Sequence, residues 1–403
     1  MFENSVELLK VARGLIPGGC STESKKPEAL FASENSPAYY KKAEGAKIYD
    51  MDQNEFIDFG MALGACLLGY NHPVIEDAIK REVGNGILTT LPTHLEPQLA
   101  KLVIDTVPSI DMVRFMKTGA EAVSAGVRLA RAYTGRKFVL ASGYFGWHDW
   151  FSRGEGVPEA IKDLCVLFTF NDIKDFLDKL NTLPEHPAAV VMEPVINEHP
   201  KREFLELLRE TCDKFGIVLI WDETKTALRM APGGAQQFYN FTPDLTVMGK
   251  ALAGGMSLTA IGGKKEFMES WHRVWISSTY ACESLSLSAA IAIFNFVREN
   301  PVHTHIQKLG TQLLEGAQKI SASFPDVLEV YGIPQMVGIR LKGELPDIQE
   351  KEASFYRSLL DFGFIIKRRG YNFVCYSHTE EHIDGCLNTL EKTLRKNFGR
   401  SSS

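Results

Sequence analysis

The apolar positions of this chain change period along its length. Between Val6 and Leu15 they recur at helical spacing, and Pro17-Gly18-Gly19 stops the run. Ala46–Asp50 and Phe56–Phe59 flank the turn Asp52-Gln53-Asn54-Glu55 and read as a β-hairpin. From about Asn71 to Ile276, short apolar runs alternate with helical segments. The strand candidates are Val113–Met116, Phe138–Ala141, Val166–Phe168, Ala189–Met192, Val218–Trp221 and Leu245–Met248. Several are apolar without alternation, as expected when both faces of a sheet are covered. Helix candidates lie between them, for example Glu121–Tyr133 closed by Gly135. The alternation predicts an α/β domain with a mostly parallel sheet. A long helix follows Ser288 and runs through Asn300. From about His303, helices mix with strands such as Met336–Leu341 and Phe373–Tyr376, which predicts a smaller α+β domain. The expected division is an N-terminal segment, 1–60, belonging to the smaller domain, a large domain, 61–302, and a C-terminal α+β part, 303–403.

Composition narrows the classes. The chain has 403 residues, 45% hydrophobic and 23% charged, as in an ordinary globular protein with a large core. A net charge of −6 supplies no broad basic field, so a nucleic-acid partner is not expected. The seven cysteines are scattered without a Cys-x-x-Cys pair, which suggests reduced thiols and a cytoplasmic protein. No apolar run approaches the roughly 20 residues that span a bilayer. Early acids and the absence of a continuous apolar core argue against a signal peptide at the N-terminus.

Candidate chemistry gathers where the apolar runs end. Thr118-Gly119-Ala120-Glu121 follows a strand and opens a helix. Its N–H groups, the Thr118 hydroxyl and the positive helix end suit a phosphate dianion; an ordinary capping box has the same pattern. Gly143-Tyr144-Phe145-Gly146-Trp147-His148 follows the next strand, where an aromatic ring could lie flat on a planar cofactor or belong to a buried cluster. His148 could act as a base or as a core hydrogen-bonder. Glu193 ends the strand Ala189–Met192, and Asp222 ends Val218–Trp221. Alone, either carboxylate reads as a cap. Lys250 follows Leu245–Met248 and leads into a glycine-rich loop. Ligand sites in open parallel sheets form at the carboxyl ends of strands, and these residues occur in series at such ends. A lysine and an aspartate so placed suit pyridoxal phosphate: the amine condenses with the aldehyde, and the carboxylate keeps the pyridine nitrogen protonated. One competing motif is His378-Thr379-Glu380-Glu381-His382, which matches a zinc pattern. A capped helix with an acidic first turn explains it better, and no metal site is expected.

These residues resemble the class III (ω-type) aminotransferases of pyridoxal phosphate fold type I, in the branch of the glutamate-1-semialdehyde aminomutases. The similarity covers nearly the whole chain. It includes Ile16-Pro17-Gly18-Gly19, Glu44–Asp50, Gly69–Pro73, Val113–Ala122, Arg128–Gly135, Trp221-Asp222-Glu223, Pro243–Lys250 and Ser377–Glu381. It implies a large domain with a mostly parallel seven-stranded sheet and a smaller domain from both chain ends. It also implies roles: Lys250 as covalent anchor and proton carrier, Asp222 at the pyridine nitrogen, Tyr144 on the ring, Gly119 and Ala120 at the phosphate with Thr118 beside them, and Glu193 near the substrate. Thr279 matches the threonine that reaches the neighbouring subunit's phosphate, which implies a homodimer.

The chain departs from the family at four places. Phe145 stands where the family has histidine in Tyr-His-Gly. The usual Asp-Glu-Val-x-Thr-Gly-Phe-Arg is Asp222-Glu223-Thr224-Lys225-Thr226-Ala227-Leu228-Arg229. The aminomutase's Asn-Ser-Pro-Val-Arg stretch is Cys20–Lys25, and its Glu-Ala-Gly-Phe is Gly370-Tyr371-Asn372-Phe373 behind Lys367-Arg368-Arg369. The expectation is therefore a transaminase that cycles pyridoxal phosphate through its pyridoxamine form. It would move an amino group from a small-molecule donor to a keto or aldehyde acceptor, expected to be anionic, the adjacent cations being either its site or a solvated turn. The alternatives are an intramolecular 2,1-aminomutase and a non-catalytic protein of the same fold.

Overall fold

The computed structural model describes residues 1–399. By packing, the chain divides into two compact units: Pro73–His303, and Met1–His72 with the chain from Thr304 onward.

The larger unit is built on a seven-stranded sheet. Its order is Met112–Met116, Thr259–Gly263, Leu245–Met248, Val218–Glu223, Ala189–Met192, Val139–Ser142, Cys165–Leu167. The four inner parallel runs, Val139–Ser142, Ala189–Met192, Val218–Glu223 and Leu245–Met248, are buried at every residue, which is why they show no alternation. The helix Gly119–Thr134 places Val123, Val127 and Ala130 in one buried cluster with Ile220, Val247 and Ile261 of the sheet. Gly135 closes it in the left-handed region (φ 73°).

Thr259–Gly263 was not legible as a strand. It runs antiparallel to both neighbours, and its two terminal glycines weaken any strand pattern. The neighbours require those glycines: a Cβ at Gly263 would lie 2.3 Å from Asp244 O, and one at Gly262 would lie 2.7 Å from Ile110 Cγ2.

In the smaller unit, Tyr40–Glu44, Lys47–Asp50 and Glu55–Asp58 form an antiparallel meander, to which Phe364–Ile365 adds in parallel. Leu328–Ile333 and Met336–Leu341 make a separate two-stranded ribbon. Phe2, Phe56, Phe59, Leu313, Phe355 and Leu390 belong to its core. Where a boundary at residue 60 is expected, the N-terminal part of this compact unit runs on to His72. Tyr70 and Gly45 exchange backbone bonds (2.8 and 2.7 Å), and Ser377 Oγ donates to Leu68 O (2.6 Å). The expected strand Phe373–Tyr376 is not one: Phe373 N donates to Phe59 O (2.7 Å) and Tyr376 N to Leu67 O (2.9 Å), so the segment caps loops instead of joining a ladder. Among the described residues, no helix is long and apolar enough to cross a membrane.

Candidate active site

Ladder register sets the site's centre. Val218–Glu223 pairs in parallel with Ala189–Met192 (Met192 opposite Trp221) and with Leu245–Met248 (Asp222 opposite Val247). One step past these pairs, Glu193 lies beside Asp222 across the ladder, and Lys250 follows two residues after Met248. Asp222 is buried, and its Oδ1 accepts from Thr224 N (2.9 Å). Burial, then the neighbouring Glu193 charge, pushes its carboxyl up to about 6. Lys250 begins a 3-10 turn with φ 44°, a left-handed value that a side-chain-bearing residue adopts only under constraint. Protein atoms around its amine lower the pKa by desolvation, and the Asp222 charge works the other way. An amine so poised spends more time as the neutral nucleophile and base.

The helix Gly119–Thr134 supplies the anion end. Thr118 and Glu121 form a reciprocal capping box (Glu121 N to Thr118 Oγ1, 3.2 Å; Thr118 N to Glu121 Oε2, 2.9 Å). Thr118 thus performs the cap that its sequence also allowed. The N–H groups of Gly119 and Ala120 have no acceptor within the helix, as at any helix start. A Cβ on Gly119 would lie 3.3 Å from Thr224 Oγ1, and that buried hydroxyl has no hydrogen-bond partner among the described residues. Thr224 is a residue that sequence reasoning missed; a hydroxyl two positions after a strand-end aspartate was the available signal.

The third side is the loop after Val139–Ser142. Gly143 has φ 133°, and a Cβ there would strike Glu193 Cγ at 2.7 Å. Glu193 is 3% exposed; its Oε1 accepts from Tyr144 N (2.8 Å), and its Oε2 is ion-paired with Lys225 Nζ. The Tyr144 ring is 70% exposed, so its face is open to a planar ligand. Gly146, at φ 90°, packs on the helix start: its Cβ would sit 2.5 Å from Ala120 Cβ. These contacts bring Thr118, Gly119, Ala120, Tyr144, Glu193, Asp222 and Lys250 together. Thr279 does not join them. It lies exposed in a turn where Ala281 N donates to Ser278 O (3.2 Å).

Other candidates resolve as structure. His148 Nδ1 bonds Ser124 Oγ (2.7 Å), which also accepts from Trp150 Nε1 (3.0 Å). Phe145 stacks on Trp150 (5.9 Å) inside the apolar cluster, where the ring needs no polar partner. In the smaller unit, His382 accepts from Thr379 N (3.2 Å) as part of a capping box, and His378 Nδ1 accepts from Cys375 N (3.0 Å). No group of His, Cys, Asp and Glu among the described residues is arranged to hold a metal ion. Arg368 pairs with Glu352 and donates to Glu28 O (2.9 Å), so one of the three consecutive cations is structural.

The residues fit pyridoxal phosphate. A desolvated amine suits its aldehyde, a buried carboxylate short of donors suits a protonated ring nitrogen, and helix-start amides beside an unpaired hydroxyl suit its phosphate. The family pattern described as aminotransferase class-III matches residues 31–144 and 163–394. A glutamate-1-semialdehyde 2,1-aminomutase of Natranaerobius thermophilus is 30% identical, the match covering 98% of this chain and 99% of that protein. The FumI protein of Sphingopyxis sp. MTA144, solved in its pyridoxal phosphate internal aldimine form, superposes with a TM-score of 0.92 at 25% identity, covering 99% of this chain and 98% of that one. A transaminase solved with pyridoxal phosphate bound gives 0.91 at 28% identity over 100% of both chains. The chain belongs to the class-III aminotransferases, enzymes of fold type I that use pyridoxal phosphate.

Proposed function

We propose that the protein moves an amino group between two separate small molecules, a donor amine and an anionic keto or aldehyde acceptor, with Lys250 and Asp222 as its catalytic pair. The observation that carries this reading is the desolvated Lys250 amine electrostatically coupled to the buried, strand-end Asp222. When bound, pyridoxal phosphate supplies an electron-accepting ring and carries the amino group between the two half-reactions. Asp222 would hold a positive charge on the ring nitrogen. Lys250 would take the proton from the carbon that loses the amino group in one half-reaction and deliver one to the carbon that gains it in the other, which its lowered pKa favours. Gly119 and Ala120 N–H groups would hold the phosphate, with the Thr118 cap holding the helix start. Tyr144 would cover the ring, and Glu193 anchors the loop that presents it.

Intermolecular transfer is favoured because Cys20–Lys25 and Gly370–Phe373 lack the substrate-holding pattern of the aminomutases. The second reading, a 2,1-aminomutase, is supported by the name of the relative matched over 98% of the chain. An amino-donor and acceptor screen, read as spectral conversion of the cofactor, separates them: transaminase action requires an external donor, and a mutase converts one substrate alone. Lys250→Ala should abolish turnover while cofactor still binds; an active purified mutant refutes the assignment.

The working unit is proposed to be a homodimer in which Thr279 meets the neighbour's phosphate. Exposed Leu91, Trp275 and Tyr280 support it, with Trp275 91% exposed. Their two loops are linked, since Ser284 N donates to Ile87 O (2.9 Å). Sedimentation of the loaded protein as a monomer would overturn this assembly.

A further inference from the structure

The turn after Asp222 carries a cation that the reaction as described does not use. Lys225 occupies the position that the family pattern leaves open. Its backbone is pinned on both sides: Thr224 N donates to Asp222 Oδ1 (2.9 Å), and Thr226 donates from N to Glu223 O (3.1 Å) and from Oγ1 to Glu223 Oε2 (2.8 Å). Its amine reaches across the ladder to Glu193 Oε2. Glu193 is thereby held from two directions, by Lys225 on one oxygen and by Tyr144 N on the other. Gly143 lies so close that no side chain would fit between that loop and the carboxylate.

We propose that Lys225 is a positioning residue: by pairing with Glu193 it fixes the loop that presents Tyr144 and balances the charge around Lys250. The argument is one of buried charge. Asp222 and Glu193 are adjacent carboxylates, both nearly inaccessible to solvent. A buried carboxylate without a counter-cation is strongly disfavoured. Lys250 cannot serve both, because catalysis requires its amine to give up and regain a proton. Lys225 neutralises Glu193 throughout and leaves Asp222 to face the cofactor. The charged groups acting on the Lys250 amine are Asp222, Lys225, Glu193 and Arg229, with Lys225 opposing protonation and Glu193 favouring it.

This inference rests on the reading that Lys250 carries the cofactor. The test is a spectrophotometric pH titration of the pyridoxal phosphate-loaded protein, following the midpoint at which the lysine-linked chromophore loses its proton. Lys225→Met removes a cation and bares Glu193, so the midpoint should rise by about one pH unit. Lys225→Arg keeps the charge and should restore the midpoint to within about 0.3 unit. Glu193→Gln removes a carboxylate that favours protonation of Lys250 and should lower it. A merely structural role would not move the midpoint in opposite directions. Unmoved midpoints, equal shifts in the Met and Arg variants, or a rise in Glu193→Gln overturn the proposal. Should Lys225→Met fail to fold, the direction of the Glu193→Gln shift still decides. A wild-type protein that forms no chromophore would instead overturn the reading of Lys250 itself, and this proposal with it.

Discussion

Asp58 in the smaller unit and Asp222 in the larger are both strand-end aspartates, both buried, and burial raises the pKa of both. Their surroundings differ in donors. Asp58 accepts from Gly60 N (2.7 Å), Met61 N (3.1 Å) and Tyr70 Oη (2.5 Å), which answers most of its lone pairs. Asp222 accepts from a single residue, Thr224, and faces a second carboxylate and a lysine. A saturated buried acid organises a turn. One left short of donors retains capacity for a cationic ligand, as the proposed role of Asp222 requires.

Exchanging the two carboxylates for amides is the sharpest way to break the contrast. Asp222→Asn should lower kcat by about 10²- to 10⁴-fold, while thermal denaturation of the unloaded protein stays unchanged or shifts upward, since a buried charge is removed. Measured kcat within tenfold of wild type would erase the distinction. Asp58→Asn should do the reverse, with kcat retained and about 2–3 kcal/mol lost in denaturant unfolding, because two amides and a phenol lose their charged acceptor.

Protonation offers a milder test. His378, stacked on Phe59 (4.6 Å), is pushed down to about 3, chiefly by burial. The unfolded chain, with an ordinary histidine, binds the proton near 6.5, so between about pH 6.5 and 3 it holds more protons than the folded one. Stability should therefore fall as pH drops through that window, by up to about 1.4 kcal/mol per pH unit from this group. Urea unfolding at pH 7 and pH 5 should show a smaller difference in His378→Phe than in wild type. An identical pH dependence would show that the imidazole is not the group titrating.

The smallest effect compares two capping threonines. Thr118→Ala and Thr379→Ala should each cost about 1 kcal/mol of stability. Only Thr118→Ala should also weaken pyridoxal phosphate binding, by a fewfold in equilibrium titration. Equal loss of affinity in both would mean that general stability, not the helix start at Gly119, controls the phosphate.

The inner strands were legible because both of their faces are covered, so apolar runs such as Ala189–Met192 and Leu245–Met248 carry the pattern without help from neighbours. Thr259–Gly263 was invisible for the opposite reason: its glycines answer to Asp244 O and Ile110, contacts made only after the sheet forms. Phe373–Tyr376 misled because an apolar run also suits a buried loop that donates to Phe59 O and Leu67 O.

For the site, local order along the chain determined the series of strand-end residues, from Thr118 through Tyr144, Glu193 and Asp222 to Lys250, because a parallel sheet delivers consecutive strand ends to one edge. Tertiary structure alone decided which of those groups are already satisfied. It joined Lys225 to Glu193, set the Thr224 hydroxyl beside Gly119, and gave Asp58 donors from three residues and Asp222 from one. Hydrogen bonds and ion pairs between strands depend on register and burial, and neither quantity exists until the chain has closed on itself.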